Sequence, residues 1–214
     1  MAELPHIPAL RPVEVLERGQ RGATLLDTRP AAEFGAAHVP GSLHIGLNGQ
    51  YASWAGTLLG LDSEIVLIAE DEERVTESRT RLARVGIERV TGYLGDGIAA
   101  WTRDGLPVGQ VPQISVEELH RLPDPDRDGL QLVDVRRQPE WDEGHIAGAV
   151  HKPLHKLARL TDSLDLSRPV AVYCKGGYRS SIAASLLKRA GFTEIINVTG
   201  GFDAWRACQV PVAS

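Results

Sequence analysis

Val170-Ala171-Val172-Tyr173-Cys174-Lys175-Gly176-Gly177-Tyr178-Arg179-Ser180 begins as an unbroken apolar run and ends as a polar loop holding two glycines. Helix formers follow over residues 180–190 and stop at Gly191. Four apolar residues in succession predict a short strand buried on both faces, and a terminal glycine is the usual way for a helix to end. The same alternation extends outward. Residues 130–135 and 195–198 are further short apolar runs, and residues 201–206 open a last helix. Upstream, Ser115 followed by Glu118 predicts a capping box at the head of a helix that includes Leu119. Strands separated by helices imply an α/β fold, a mostly parallel sheet with helices on both faces.

This pattern occurs twice. Leu25-Leu26-Asp27-Thr28-Arg29 corresponds to Leu132-Val133-Asp134-Val135-Arg136. Glu33-Phe34 with His38-Val39-Pro40-Gly41 corresponds to Glu140-Trp141 with His145-Ile146-Ala147-Gly148. Gly97-Ile98-Ala99-Ala100-Trp101 corresponds to Gly201-Phe202-Asp203-Ala204-Trp205, and both copies close on Pro-Val. One repeat of this length implies tandem domains and not a solenoid. The expected domains are residues 1–108 and 112–214, divided near 106–113, where two prolines and a glycine fall. Residues 123–129 are expected to form a surface loop inside the second copy.

The 214 residues carry a net charge of −5 and a pI near 5.8. That balance argues against a general nucleic-acid binder, which needs a basic face to displace counterions. No stretch approaches the eighteen or so apolar residues that cross a bilayer, and residues 1–10 are not expected to be a secretory leader. Two cysteines, Cys174 and Cys208, are too few for a disulfide scaffold or a cysteine-built zinc site. The histidine pairs His38/His44 and His145/His151 miss the helical i, i+4 spacing of metal ligands. The expectation is a reduced, cytoplasmic protein with no metal and no membrane.

Cys174 stands where ligands bind in parallel α/β folds, just beyond the carboxyl end of a strand. Backbone N–H groups at a helix start, curled inward by Gly176 and Gly177, make an anion-binding nest. Lys175 and Arg179 add two positive charges. A thiolate is stabilised in such a place and serves as a nucleophile, and a persulfide anion on it would be held by the same donors. A buried structural cysteine after a strand is the plainer alternative. In the first copy Ala69 aligns with Cys174, and Glu70-Asp71-Glu72-Glu73-Arg74 replaces the loop. With four acids against one base that loop repels anions, and it offers a docking surface as a second possibility. Asp27–Arg29 and His38 recur as Asp134–Arg136 and His145, so they belong to the scaffold. Trp101 and Trp205 are core candidates. Phe34, standing where Trp141 does, suggests ordinary packing for both, and Cys208 has no evident task.

Taken together, Asp134-Val135-Arg136, Glu140-Trp141, Gly144-His145-Ile146-Ala147-Gly148-Ala149, residues 174–180 and Gly200-Gly201-Phe202-Asp203-Ala204-Trp205 resemble the rhodanese family of sulfurtransferases over nearly the whole chain. The resemblance implies two tandem rhodanese-like domains, a silent first and an active second. It implies that Cys174 accepts a sulfane sulfur and passes it to cyanide or a thiol without a cofactor. Lys175, Gly176, Gly177, Tyr178, Arg179 and Ser180 would form the substrate loop, for an anionic donor such as thiosulfate or a low-molecular-weight persulfide. A non-catalytic sulfur carrier or interaction module is the other reading. Cdc25-like phosphatases share the fold but place five residues between Cys and Arg, against four here. The first copy also resembles the silent domain in fusions of rhodanese with a metallo-β-lactamase-type persulfide dioxygenase, which makes such an enzyme a candidate partner.

Overall fold

The computed structural model describes residues 5–122 and 129–213, so most of the loop expected at 123–129 lies outside the described residues. The chain divides into two compact units, Met1–Gln110 and Val111–Ser214.

In the first unit the strands β1 (Ala9–Leu10), β2 (Thr24–Asp27), β3 (Leu43–His44), β4 (Ile65–Ile68) and β5 (Val90–Leu94) form a sheet in the order β1-β5-β4-β2-β3. In the second, β6 (Gln113–Ile114), β7 (Gln131–Asp134), β8 (Val150–His151), β9 (Val170–Tyr173) and β10 (Ile195–Val198) repeat it as β6-β10-β9-β7-β8. Every strand pair is parallel. The central strands β4 and β9 are buried at every residue, as continuous apolar runs require.

Helices fill the crossovers. The first unit holds α1 (Pro12–Gln20), α2 (Ala31–Ala36), α3 (Tyr51–Leu58), α4 (Glu72–Ala83) and α5 (Gly97–Arg103). The second holds α6 (Val116–Arg121), α7 (Gln138–Asp142), α8 (Leu157–Leu160), α9 (Tyr178–Arg189) and α10 (Gly201–Ala207). Alternation along β9 turns Ala171 and Tyr173 toward Val116 and Leu119 of α6 and Phe202 and Trp205 of α10. The first unit packs Val66 and Ile68 against Val15 and Trp101 in the same way. Both tryptophans are core residues, and each indole N–H donates to a backbone carbonyl after the last helix, that of Pro107 or Pro211. The capping box forms as expected, with Ser115 Oγ accepting from Glu118 N at 3.1 Å and Glu118 Oε2 from Ser115 N at 2.7 Å. No helix among the described residues is long and apolar enough to cross a membrane.

The repeated Asp-x-Arg closes the end of β2 and of β7. Arg136 Nη2 donates to Asp134 Oδ2 at 2.6 Å and to the Gly144 carbonyl at 2.8 Å. Arg29 does the same with Asp27 (2.6 Å) and the Ala37 carbonyl (2.8 Å). Asp27 and Asp134 are 0% exposed, and both arginines 3%. Removing one partner strands a buried charge. Arg136→Met is therefore expected to destabilise the second unit by about 3–5 kcal/mol, and Arg29→Met the first by a similar amount, read from urea unfolding midpoints.

Candidate active site

Cys174 follows Tyr173 directly, at the carboxyl end of the central strand β9, and is 1% exposed. Its Sγ accepts a hydrogen bond from Gly177 N at 3.1 Å. Gly177 has φ +102°, a left-handed conformation open to glycine, and caps α9. That one residue turns the chain straight into the helix. As a result α9 begins at Tyr178, two residues earlier than the apolar pattern suggests, and Tyr178 and Arg179 belong to its first turn. The sulfur faces the amino end of a 12-residue helix, where the dipole and unpaired N–H groups favour negative charge.

The loop is braced from the far side by α10. Phe202 N donates to the Cys174 carbonyl at 2.8 Å and Asp203 N to the Lys175 carbonyl at 3.0 Å. This approach depends on Gly201, because a Cβ there would lie 2.3 Å from the Cys174 oxygen and 2.6 Å from that of Lys175. From within, the fully buried Ser180 donates its hydroxyl to the Gly177 carbonyl at 3.0 Å. Ser180 thus lies beneath the loop and not at its mouth. Lys175 and Gly176 are exposed, and Gly177, Tyr178 and Arg179 half-buried.

Arg179 is committed to a partner that residue spacing does not reveal. Its Nη1 and Nη2 donate to Glu140 Oε2 and Oε1, both at 2.6 Å, across 39 positions of sequence. Glu140 sits in the first turn of α7 and also accepts from Arg137 N at 3.0 Å. The Arg179 hydrogen bonds hold its carboxyl down at about 2, against the desolvation that opposes them. The same bonds raise the guanidinium above its usual range, and the charge of Cys174 adds to that rise. The two positive charges expected around the sulfur are thus one exposed lysine and one arginine already paired.

The other candidates fall into the scaffold. Trp141 stacks on His145 at 3.5 Å and on His151 at 4.8 Å, as Phe34 stacks on His38 (4.1 Å) and lies against His44 (4.6 Å). Cys208 is exposed, and its thiol donates to Glu117 at 3.2 Å, which pushes its pKa above the usual thiol value.

In the first unit Ala69 follows β4 at the position of Cys174. Here the Asp71 carboxylate takes the helix start, accepting from Arg74 N at 2.8 Å. A cavity of about 300 Å³ remains, lined by Ala69, Tyr93 and the carboxylates of Glu70, Asp71, Glu72 and Asp96. Its lining holds no cysteine, and its acidic residues repel anions.

A model of the rhodanese-like domain matches residues 12–104 and again 115–208. The chain belongs to the rhodanese-like domain family. Over 78 residues it is 40% identical to thiosulfate sulfurtransferase GlpE of Coxiella burnetii, covering 36% of this chain and 73% of that protein. Over 95 residues it is 35% identical to the "Putative sulfur carrier protein YrkF" of Bacillus subtilis, covering 44% of this chain and 51% of that protein. The chain thus spans about half the length of the latter relative. Among solved structures, the rhodanese-like domain of Alr3790 from Anabaena is 33% identical, with a TM-score of 0.45 and coverage of 48% of this chain and 79% of that one.

Two outcomes follow for this rhodanese loop. Gly201→Ala drives a Cβ into backbone oxygens from a φ of +57° and is expected to cost about 2–4 kcal/mol. Gly176→Ala meets open space and should stay within about 0.5 kcal/mol of wild type, both read by thermal or urea unfolding. The depressed Glu140 carboxyl contributes stability that is complete above its ordinary value of 4.5 and lost as pH falls toward about 2. Glu140→Gln should therefore flatten the acid limb of a stability-against-pH curve.

Proposed function

We propose that the second rhodanese domain, residues 112–214, is a sulfurtransferase that carries a sulfane sulfur on Cys174, and that the first, residues 1–108, is catalytically silent. The observation that carries this reading is a nearly buried cysteine sulfur at the end of the central strand, hydrogen-bonded by Gly177 N at a helix start, within a family-matched domain. The names of the relatives, a thiosulfate sulfurtransferase and a sulfur carrier, support the same class of chemistry.

With thiosulfate the steps balance as follows. The Cys174 thiolate attacks the sulfane sulfur, an S–S bond forms at Sγ, and the sulfur–sulfonate bond breaks with its electron pair on departing sulfite. Gly177 N, and the exposed N–H groups of the loop, hold the resulting persulfide anion. A thiolate or cyanide then attacks the outer sulfur and leaves as a persulfide or thiocyanate, which returns the Cys174 thiolate. A low-molecular-weight persulfide serves as donor by the same exchange, releasing its thiol. Lys175 offers the exposed positive charge at the mouth, and Tyr178 stands half-buried beside it in the first helical turn. Only a small donor reaches a sulfur this enclosed. Both cysteines are free thiols, in keeping with a reducing cytoplasmic setting, and the first copy's resemblance to the silent domain of rhodanese–persulfide dioxygenase fusions makes such an enzyme a candidate neighbour.

A sulfur carrier that loads and unloads only on a docked protein is the second reading, supported by the carrier-named relative. The phosphatase reading is disfavoured by the four-residue spacing between Cys174 and Arg179 and by the pairing of Arg179 with Glu140, which withholds the cation an oxyanion needs.

Incubation with thiosulfate should add one sulfur atom to the intact mass, and cyanide should then release it as thiocyanate. Both are lost in Cys174→Ala, whereas Cys208→Ala behaves as wild type. Loading without turnover on cyanide or thiols would favour the carrier, and no loading from thiosulfate or glutathione persulfide would sink the sulfurtransferase.

A further inference from the structure

The Glu140–Arg179 pair cannot be read as inherited scaffold. The first copy keeps both residue types, Glu33 and Arg74, at the corresponding positions. There Arg74 pairs with Glu77 of its own helix at 2.7 Å, on a side chain 47% exposed. In the copy that holds the cysteine, Arg179 is 16% exposed and gripped at both nitrogens. The scaffold interactions that recur in both copies, Asp-x-Arg above all, recur with the same partners and nearly the same distances. The Glu–Arg clamp forms only in the copy that holds Cys174.

Its effect is on charge. Around Cys174 stand Lys175, exposed, and Arg179, whose charge is cancelled by Glu140. Asp134 and Arg136 cancel each other. With the thiolate counted, the side chains at the mouth sum to about zero, and the helix dipole supplies only a fractional positive charge. Such a site gives little reward for a second negative charge on the incoming donor. Electrostatic energy is linear in ligand charge, so a dianion feels twice the effect that a monoanion does.

Building on the sulfurtransferase reading, we propose that Glu140 is a positioning residue that sets donor preference. By clamping Arg179 it tunes the Cys174 site toward monoanionic hydropersulfides and away from dianionic thiosulfate. The transfer itself is unchanged: Sγ attacks the outer sulfur of R–S–S⁻, the new S–S bond forms, and the old one breaks with its electron pair on R–S⁻.

The test is the rate of Cys174 loading, followed by quenched-flow intact mass at fixed ionic strength against donor concentration. Thiosulfate and 2-hydroxyethyl hydropersulfide are the two probes. Glu140→Gln frees the Arg179 charge and should lower the half-saturating thiosulfate concentration roughly tenfold, and that of the hydropersulfide only about threefold. Arg179→Gln leaves Glu140 uncompensated and should shift the two donors in the opposite direction by similar factors. It also serves as the independent variant should Glu140→Gln fail to fold. The double variant Glu140→Gln/Arg179→Gln is neutral again and should restore the wild-type donor ratio. A purely structural clamp would slow both donors equally, and an unchanged ratio in both single variants, or a ratio not restored in the double variant, overturns the proposal. Wild-type protein that loads from neither donor would instead sink the sulfurtransferase reading itself, so the two failures are told apart.

Discussion

The buried ion pair at the end of β7 is the joint on which the second domain turns. Arg136 grips Asp134, reaches the Gly144 carbonyl, and lies over the rings of Phe202 (3.9 Å) and Tyr173 (5.8 Å). Its own carbonyl takes the ring nitrogen of His151 at 3.0 Å. One side chain thereby ties the strand before the site to the strand that delivers Cys174 and to the helix that braces the loop. Such a pair is a costly way to gain stability, since its charges must leave water, and losing either partner strands the other. Its recurrence in the first domain, where His44 contacts the Arg29 carbonyl at 2.8 Å, shows that it serves the fold in both copies.

On that frame the reactive loop is shaped by what glycine permits. Gly177 supplies the turn that aims an N–H at sulfur, and Gly201 lets α10 dock its amide donors on the carbonyls of Cys174 and Lys175. The first domain keeps much of this frame, with Gly97 drawn close to the Ala69 carbonyl. The loop itself differs in backbone as well as side chains, since α4 starts at Glu72 from an extended Asp71 and the left-handed turn of Gly177 has no counterpart there. Ala69 removes the nucleophile and Asp71 occupies the helix start, and the carboxylates around the cavity reverse its charge. The sheet and its crossovers form in both copies because burial holds them, whatever side chains the loop carries.

The two arrangements differ most in how arginine is used. Arg74 and Arg179 occupy equivalent places in their helices, yet one pairs with an i, i+3 neighbour at the surface and the other with a glutamate from a distant helix. A surface pair of the first kind contributes little to stability. The second is partly withdrawn from solvent and fixes where the guanidinium sits relative to Cys174.

Much of this molecule was legible in its residues. Apolar runs at regular spacing predicted parallel strands and crossover helices, because period and burial are local properties of the chain. The internal repeat separated scaffold from chemistry, since residues kept in a copy without the cysteine, such as Asp27, Arg29 and His38, could not owe their place to sulfur. The strand–loop–helix context of Cys174 marked it as the candidate nucleophile for the same local reason. Less visible were the start of α9 at Tyr178, which depends on the φ of Gly177, and the burial of Ser180 under the loop. The clamp on Arg179 was not visible at all. Glu140 lies 39 residues away, and nothing in either neighbourhood says that α7 and α9 will bring them within 2.6 Å. Local sequence therefore determined the fold, the repeat and the candidate cysteine, whereas the charge around that sulfur was decided only when tertiary packing chose a partner for each ion.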